Sequence, residues 1–320
     1  MGRLSPRWAG LGARIAALGL MALALLAAAA VRAEMQPVEV AAGVYALIGS
    51  TDEVAPENRG VVGNSGFIVG DSGVILIGTG SSFAHGRELI ALAERTAGKP
   101  VVLGIITQPL QEFVMGAAAF AERGIPTLAQ EQAARMITAR CDNCLKNLQR
   151  LLGDGPMRGT QVLAPTQTVS ASEIRQVASR RIQLWHPGWG SSPGDLVVID
   201  LQTGVAFTGA LVSVGRIPDL RDGDPVGWRK ALEALARLPI RQLVPGYGPV
   251  ADLTALAALP AYFDAVERQA SQFLEAGMSL LEASQGSDLP AYAGWDLYAR
   301  AHPRNLQQTY LRLEAAGIGR

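Results

Sequence analysis

Only three histidines and two cysteines occur among the 320 residues. That scarcity leaves little material for a metal centre, which needs about three protein ligands even when one position stays open. Basic runs are missing as well. Lys plus Arg and Asp plus Glu number 28 each, so the formal net charge is zero. A balanced chain of this kind carries no electrostatic footprint for nucleic acid. Aromatic residues make up 6% and charged residues 18%, while 49% of the chain is hydrophobic. Such a composition argues against disorder and for a substantial core. Low-complexity linkers are absent, and the only long apolar run lies near the N-terminus.

That run is residues 15–31, IAALGLMALALLAAAAV, behind Arg3, Arg7 and Arg14. Its length falls short of the ~20 apolar residues that a membrane span usually needs. Val31, Arg32 and Ala33 place small residues at the two positions a signal peptidase reads. Residues 1–33 therefore read as an export signal, with Glu34 as the new N-terminus and a periplasmic location expected. Residues 34–320 then read as a single domain, with no membrane span after signal cleavage.

Two stretches share one plan. In the first, SGFIV (65–69) and VILI (74–77) flank the turn Gly70-Asp71-Ser72-Gly73, a hairpin pattern. A helical segment over about 84–96 follows, then the apolar run 101–106, the mark of a strand buried on both faces. In the second, strands at 196–201 and 205–208 flank Gln202-Thr203-Gly204. A helix over about 226–237 leads to a strand at 242–244. Two related halves sharing one layered α/β core are expected. Their strand ends, where chemistry collects in such sheets, are 78–82, 107–115, 209–219 and 245–249. Between the halves, a long helix over about 130–152 carries Cys141 and Cys144. The tail, about 252–320, reads as helical with a break near 286–290, and Leu274, Met278 and Leu281 recur at helical spacing as packing residues.

The loops carry a family resemblance. Thr107-Gln108-Pro109-Leu110-Gln111-Glu112-Phe113-Val114-Met115-Gly116 is similar in frame to T-H-x-H-x-D-H-x-x-G of the metallo-β-lactamase superfamily. Gly190-Ser191-Ser192-Pro193-Gly194-Asp195 stands where that family has G-H-x-x-G-D, Thr208-Gly209-Ala210 where it has T/A-G-D, and Pro245-Gly246-Tyr247-Gly248-Pro249 where it has P-G-H-G-P. The chain most resembles periplasmic hydrolase-like members associated with sulfur-oxidation and quinoprotein gene clusters, from about residue 38 to 313. The tail from His302-Pro303-Arg304-Asn305 to Glu314 resembles theirs too. The resemblance implies a four-layer αββα sandwich, zinc as the family cofactor, and hydrolysis as the family activity.

Yet the ligand positions are occupied by Gln108, Leu110, Glu112, Phe113, Ser191, Ala210 and Tyr247, and the aspartate of the first D-T-G turn by Gly78. Leu110, Phe113 and Ala210 have no lone pair, and Gln108, Ser191 and Tyr247 are poor zinc ligands at neutral pH. Glu112 alone can ligate. No cofactor is therefore expected, and the leading reading is a non-catalytic periplasmic binding or accessory protein with an unidentified protein or small-molecule partner. Two alternatives stay open. One is a hydrolase with a site rebuilt from His186, Glu112 and Asp219. The other is a thiol–disulfide exchange protein using Cys141 and Cys144, a C-x-x-C that equally suits a structural disulfide in an oxidising compartment. His85 reads as a capping or surface residue and His302 as an anchor for the last helix. Ser81 and Ser82 beside His85 lack a nucleophile elbow. Trp185, Trp189, Trp228 and Arg216 lie near the former mouth. His186, Trp189, Arg216 and Trp228 are the candidate cleft rim.

Overall fold

The computed structural model describes residues 35–317; the export signal read at 1–33 lies outside them. Seven strands form one sheet: β1 (Val38–Ala41), β2 (Val44–Leu47), β3 (Ser65–Val69), β4 (Val74–Ile77), β5 (Val101–Ile106), β6 (Thr127–Gln130) and β7 (Gln167–Val169), in that spatial order. A second sheet has the order β12-β11-β10-β9-β8, made of β8 (Glu173–Val177), β9 (Arg180–Trp185), β10 (Val197–Asp200), β11 (Val205–Ser213) and β12 (Gln242–Tyr247). The helices are α1 (Phe83–Ala97), α2 (Gln111–Val114), α3 (Ala117–Glu122), α4 (Glu131–Leu152), α5 (Pro225–Leu235), α6 (Ala258–Glu275), α7 (Leu280–Gln285) and α8 (Tyr298–Ala315).

The repeated plan is visible in the pairing. β3 and β4 are antiparallel, α1 crosses over, and β5 adds parallel to β4. β10 and β11 are antiparallel, α5 crosses over, and β12 adds parallel to β11. Alternation within the strands sorts side chains into layers. Ile75, Ile77, Leu103 and Ile105 of the first sheet pack with Val198, Phe207 and Val244 of the second in one buried cluster. Val197, Ile199 and Leu243 point the other way, into a cluster with α5, α6 and α8. On the first sheet, α1 packs against β4, β5 and α3. Inside this frame the buried Arg180–Asp200 pair (2.8 Å) also reaches the Ala42 carbonyl, so β9 is tied to the β1–β2 turn of the other sheet.

Local signals account for the helix ends. The Ser82 hydroxyl accepts from the His85 amide, and Gly98, at φ 64°, closes α1; these are the expected hydroxyl and left-handed glycine caps. Asp224 caps α5 ahead of Pro225, accepting from the Val226 and Gly227 amides. In the tail, α6 ends at Glu275 and α7 restarts after Gly277, which shifts the helical phase. Leu274 packs on the core as expected, but Leu280 takes the place read for Leu281, which is 66% exposed. None of the described helices is long and apolar enough to cross a membrane.

The candidate site, a closed polar and aromatic cluster

Six of the seven positions gather around the ends of β5 and β12 and the middle of β11. Leu110 precedes α2, whose single turn carries Glu112 and Phe113 toward Tyr247 on β12. The Tyr247 hydroxyl donates to Glu112 Oε1 at 2.5 Å, and its ring meets Phe113 edge-on with centroids 5.8 Å apart. The Arg216 guanidinium lies over the other ring face, 3.9 Å from the centroid, and donates to the Thr51 carbonyl. Burial, reinforced by the Glu112 carboxylate, holds the Tyr247 phenol well above its ordinary pKa although Arg216 opposes this. Tyr247 is thus a neutral donor.

From the start of the same segment, Gln108 reaches β11, and its Oε1 accepts from the Ala210 amide. Gln108 is 1% exposed, yet its Nε2 has no partner, and neither does the neighbouring Thr107 hydroxyl. Phe113, Tyr247 and Ala210 belong to one buried apolar cluster with Val62, Ile106 and Met115, against which Leu110 packs. The fit is tight enough that a Cβ on Gly63 would stand 2.7 Å from the Phe113 ring and 3.2 Å from that of Tyr247. Only a glycine leaves room there. At Gly78 the backbone φ is 83°, so an aspartate in its place would be strained.

The seventh position, Ser191, belongs to another arrangement. Ser191 and Ser192 each donate both amide and hydroxyl to the Asp195 carboxylate, at 2.6 to 3.2 Å. Burial pushes Asp195 up to about 6 even though these four bonds pull the other way. Asp195, to which the sequence motif assigns no role, is the hub of its loop. Asn64 carried no sequence signal at all. Its side chain donates to the carbonyls of Pro245 (2.8 Å) and Gly248 (2.7 Å), which clamps the end of β12.

Several expectations need correcting. Residues 209–213 and 245–247 are not loops, because β11 and β12 run on through Ala210 and Tyr247, as the fully buried run Ala210, Leu211 and Val212 requires. Trp228 does not rim the mouth. It is 1% exposed, and its indole donates to the Leu211 carbonyl from beneath α5. Trp185 is half-buried against the same core. Arg216 sits over Tyr247 and is 9% exposed, so it covers the cluster more than it edges an opening. Trp189 alone stands out, 53% exposed and hydrogen-bonded to the Asp222 carbonyl.

The histidines are scattered. His85 is buried, not on the surface, and the cap is Ser82. Its Nδ1 accepts from the Ser81 amide at 3.1 Å, its Nε2 is unpartnered, and burial, with Arg59 adding to it, pulls it down to about 4. The Ser81 hydroxyl also lies 3.1 Å from Nδ1, but Ser81 is fully buried and no carboxylate orients the ring. That is no hydrolytic triad. His186 is held by the Asp195 carbonyl at 2.8 Å, while Asp219 is paired with Arg221. His302 is buried in α8 and bonds the Tyr262 hydroxyl of α6 at 3.1 Å. Among the described residues no three His, Cys, Asp or Glu side chains converge as metal ligands.

A zinc ion does not fit the residues that the motif resemblance aligns with ligands. The donor set offers one carboxylate, already taken by a phenol, and one amide oxygen, already taken by a backbone N–H. The remaining positions present carbon, apart from a serine turned to Asp195.

No family model matches the chain, and no curated protein does. Solved structures do. A metallo-β-lactamase from Pontibacter korlensis is similar with a TM-score of 0.59 at 19% identity, covering 71% of this chain and 97% of that one. One from Erythrobacter litoralis, with β-mercaptoethanol in the active site, has a TM-score of 0.54 at 16% identity, covering 72% and 96%. The FIM-1 metallo-β-lactamase from Pseudomonas aeruginosa in its mono-zinc form has a TM-score of 0.55 at 20% identity, covering 71% and 93%.

Proposed function

From the metallo-β-lactamase fold as premise, we propose that this chain is a zinc-free, non-hydrolytic member of that architecture, exported and acting as a binding or accessory protein. The observation that carries the reading is the closed cluster of Tyr247, Glu112, Phe113 and Gln108. Each side chain is one that the motif resemblance aligns with a ligand, and each is committed to a neighbouring protein group. A water nucleophile needs an open coordination position on a metal, and the one carboxylate and one amide oxygen of the cluster are already engaged by protein donors. The periplasmic setting rests on the export signal, and the redox or sulfur-oxidation context on the motif resemblance.

Elemental analysis of the purified protein after dialysis tests this. Zinc far below one equivalent per chain is expected, with no turnover of a chromogenic β-lactam. Tightly held stoichiometric zinc would end the proposal. A reverted protein sharpens it: Gln108→His, Leu110→His, Phe113→His, Glu112→Asp, Ser191→His, Ala210→Asp and Tyr247→His together should confer zinc binding on an unchanged backbone. A revertant that folds but takes up no metal would show that the loops no longer superpose on the family's ligand positions.

A further inference from the structure

Cys141 and Cys144 take no part in the hydrogen bonds of the closed cluster, yet they stand against it. They are three residues apart on one face of α4, with their sulfurs 3.3 Å apart and both thiols free. Cys141 is buried within the same apolar cluster as Phe113 and Tyr247. Cys144 is half-buried, and its Sγ lies 3.9 Å from the Arg140 carbonyl at the edge of the helix. One thiol is therefore reachable from solvent and the other is shielded behind it.

Two physical facts set this pair apart from a structural cross-link. In mid-helix, Cβ atoms three positions apart are separated by about 5–6 Å. A relaxed disulfide prefers about 3.5–4.5 Å. Closing the bond must distort α4, and strained disulfides are the readily reduced ones. The two thiols are also electrostatically unequal. With Cys144 ionised, the Cys141 thiol donates to it, which lowers the Cys144 pKa. The same hydrogen bond, with burial, raises that of Cys141. The thiolate is the attacking species in exchange.

We propose that Cys141 and Cys144 form a thiol–disulfide exchange site for small-molecule disulfides, with Cys144 attacking and Cys141 resolving. The Cys144 thiolate attacks one sulfur of the disulfide RSSR, forming a mixed disulfide and releasing RS⁻. Cys141 then loses its proton to the released thiolate or to solvent and attacks the Cys144 sulfur. This closes the Cys141–Cys144 bond and expels the second RS⁻. One disulfide is reduced to two thiols while the dithiol is oxidised, so two electrons and two protons balance. The site is independent of the zinc-free reading above: a metal found in the former pocket leaves it intact.

The probe is glutathione. Reduced protein is equilibrated in mixtures of reduced and oxidised glutathione, acid-quenched, alkylated and weighed as an intact chain. The oxidised fraction, which takes up no alkyl group, should follow the glutathione ratio and reverse when the ratio is reversed. A pair oxidised at every ratio is a structural staple, and a pair reduced at every ratio is inert; either result overturns the proposal. Cys141→Ser should accumulate the glutathione adduct on Cys144, with about tenfold less on Cys141 in Cys144→Ser, as expected for a shielded, more basic thiol. The reverse preference would also defeat the assignment. Should either variant fail to fold, the ratio series on the unmodified chain still decides.

Discussion

Two loops carry the positions that the motif resemblance aligns with metal ligands, and they are closed by different physics. The segment 107–115, together with the end of β12, is filled by large side chains from elements distant in sequence. Tyr247 and Glu112 are 135 residues apart. The filling leaves loose ends, the Gln108 Nε2 and the Thr107 hydroxyl. The loop 190–195 closes on itself: Asp195 collects four donors from two serines within four residues of it. The first region rests on volume and the second on a charge state. A pocket can be shut by packing or by local hydrogen bonds, and this molecule uses each once.

The largest effect should come from the packed region. Phe113→Ala removes a buried ring that touches Tyr247 and fills the space over Gly63. Phe-to-Ala changes in cores cost about 3–5 kcal/mol. Chemical denaturation should show a loss of that size, and a loss under about 1 kcal/mol would mean the pocket collapses freely and is not held by packing.

The self-closed loop should instead respond to pH. Asp195, at about 6 when folded, lies above its ordinary 3.8. The folded state therefore binds the proton more tightly. Its stabilising contribution is complete below the unfolded pKa and is lost as pH rises through 6. The linkage is on the order of 3 kcal/mol. Asp195→Asn keeps an oxygen for the two amides and lets the serine hydroxyls turn to accept, so it should fold and remove this titration. The stability difference between the parent chain and the variant, followed from pH 4 to 7, should change in the stated direction. A flat difference would place the Asp195 carboxyl in contact with water and undo the contrast between the loops.

How much of this was legible beforehand follows from the range of the interactions. Strands at 65–69, 74–77 and 101–106 coincide with β3, β4 and β5, because apolar runs bounded by Gly-Asp-Ser-Gly or a polar loop are local signals. The same local logic ended β11 at Thr208, since Gly209 reads as a turn. Burial of Ala210, Leu211 and Val212 between layers carries the strand on to Ser213. The seven candidate positions were singled out from motif frames. The contacts they make were not legible: the Tyr247–Glu112 bond, the Arg216 guanidinium over Tyr247 and the Asn64 clamp join segments with no periodicity or spacing in common.

The smallest expected effect is the most discriminating about the packed region. Gln108→Leu deletes the oxygen that accepts from the Ala210 amide, and it also deletes the Nε2 that has no partner. Leaving a buried amide unsatisfied costs roughly 1–3 kcal/mol, and removing an unsatisfied buried donor returns a similar amount. Leucine also adds apolar surface to the cluster of Ile106, Phe113 and Ala210. The two polar contributions oppose each other, so the variant should melt within a few degrees of the parent, while Phe113→Ala should not. If Gln108→Leu instead destabilises as strongly as Phe113→Ala, the cross-loop hydrogen bond holds the region shut. The two loops would then share one mechanism of closure.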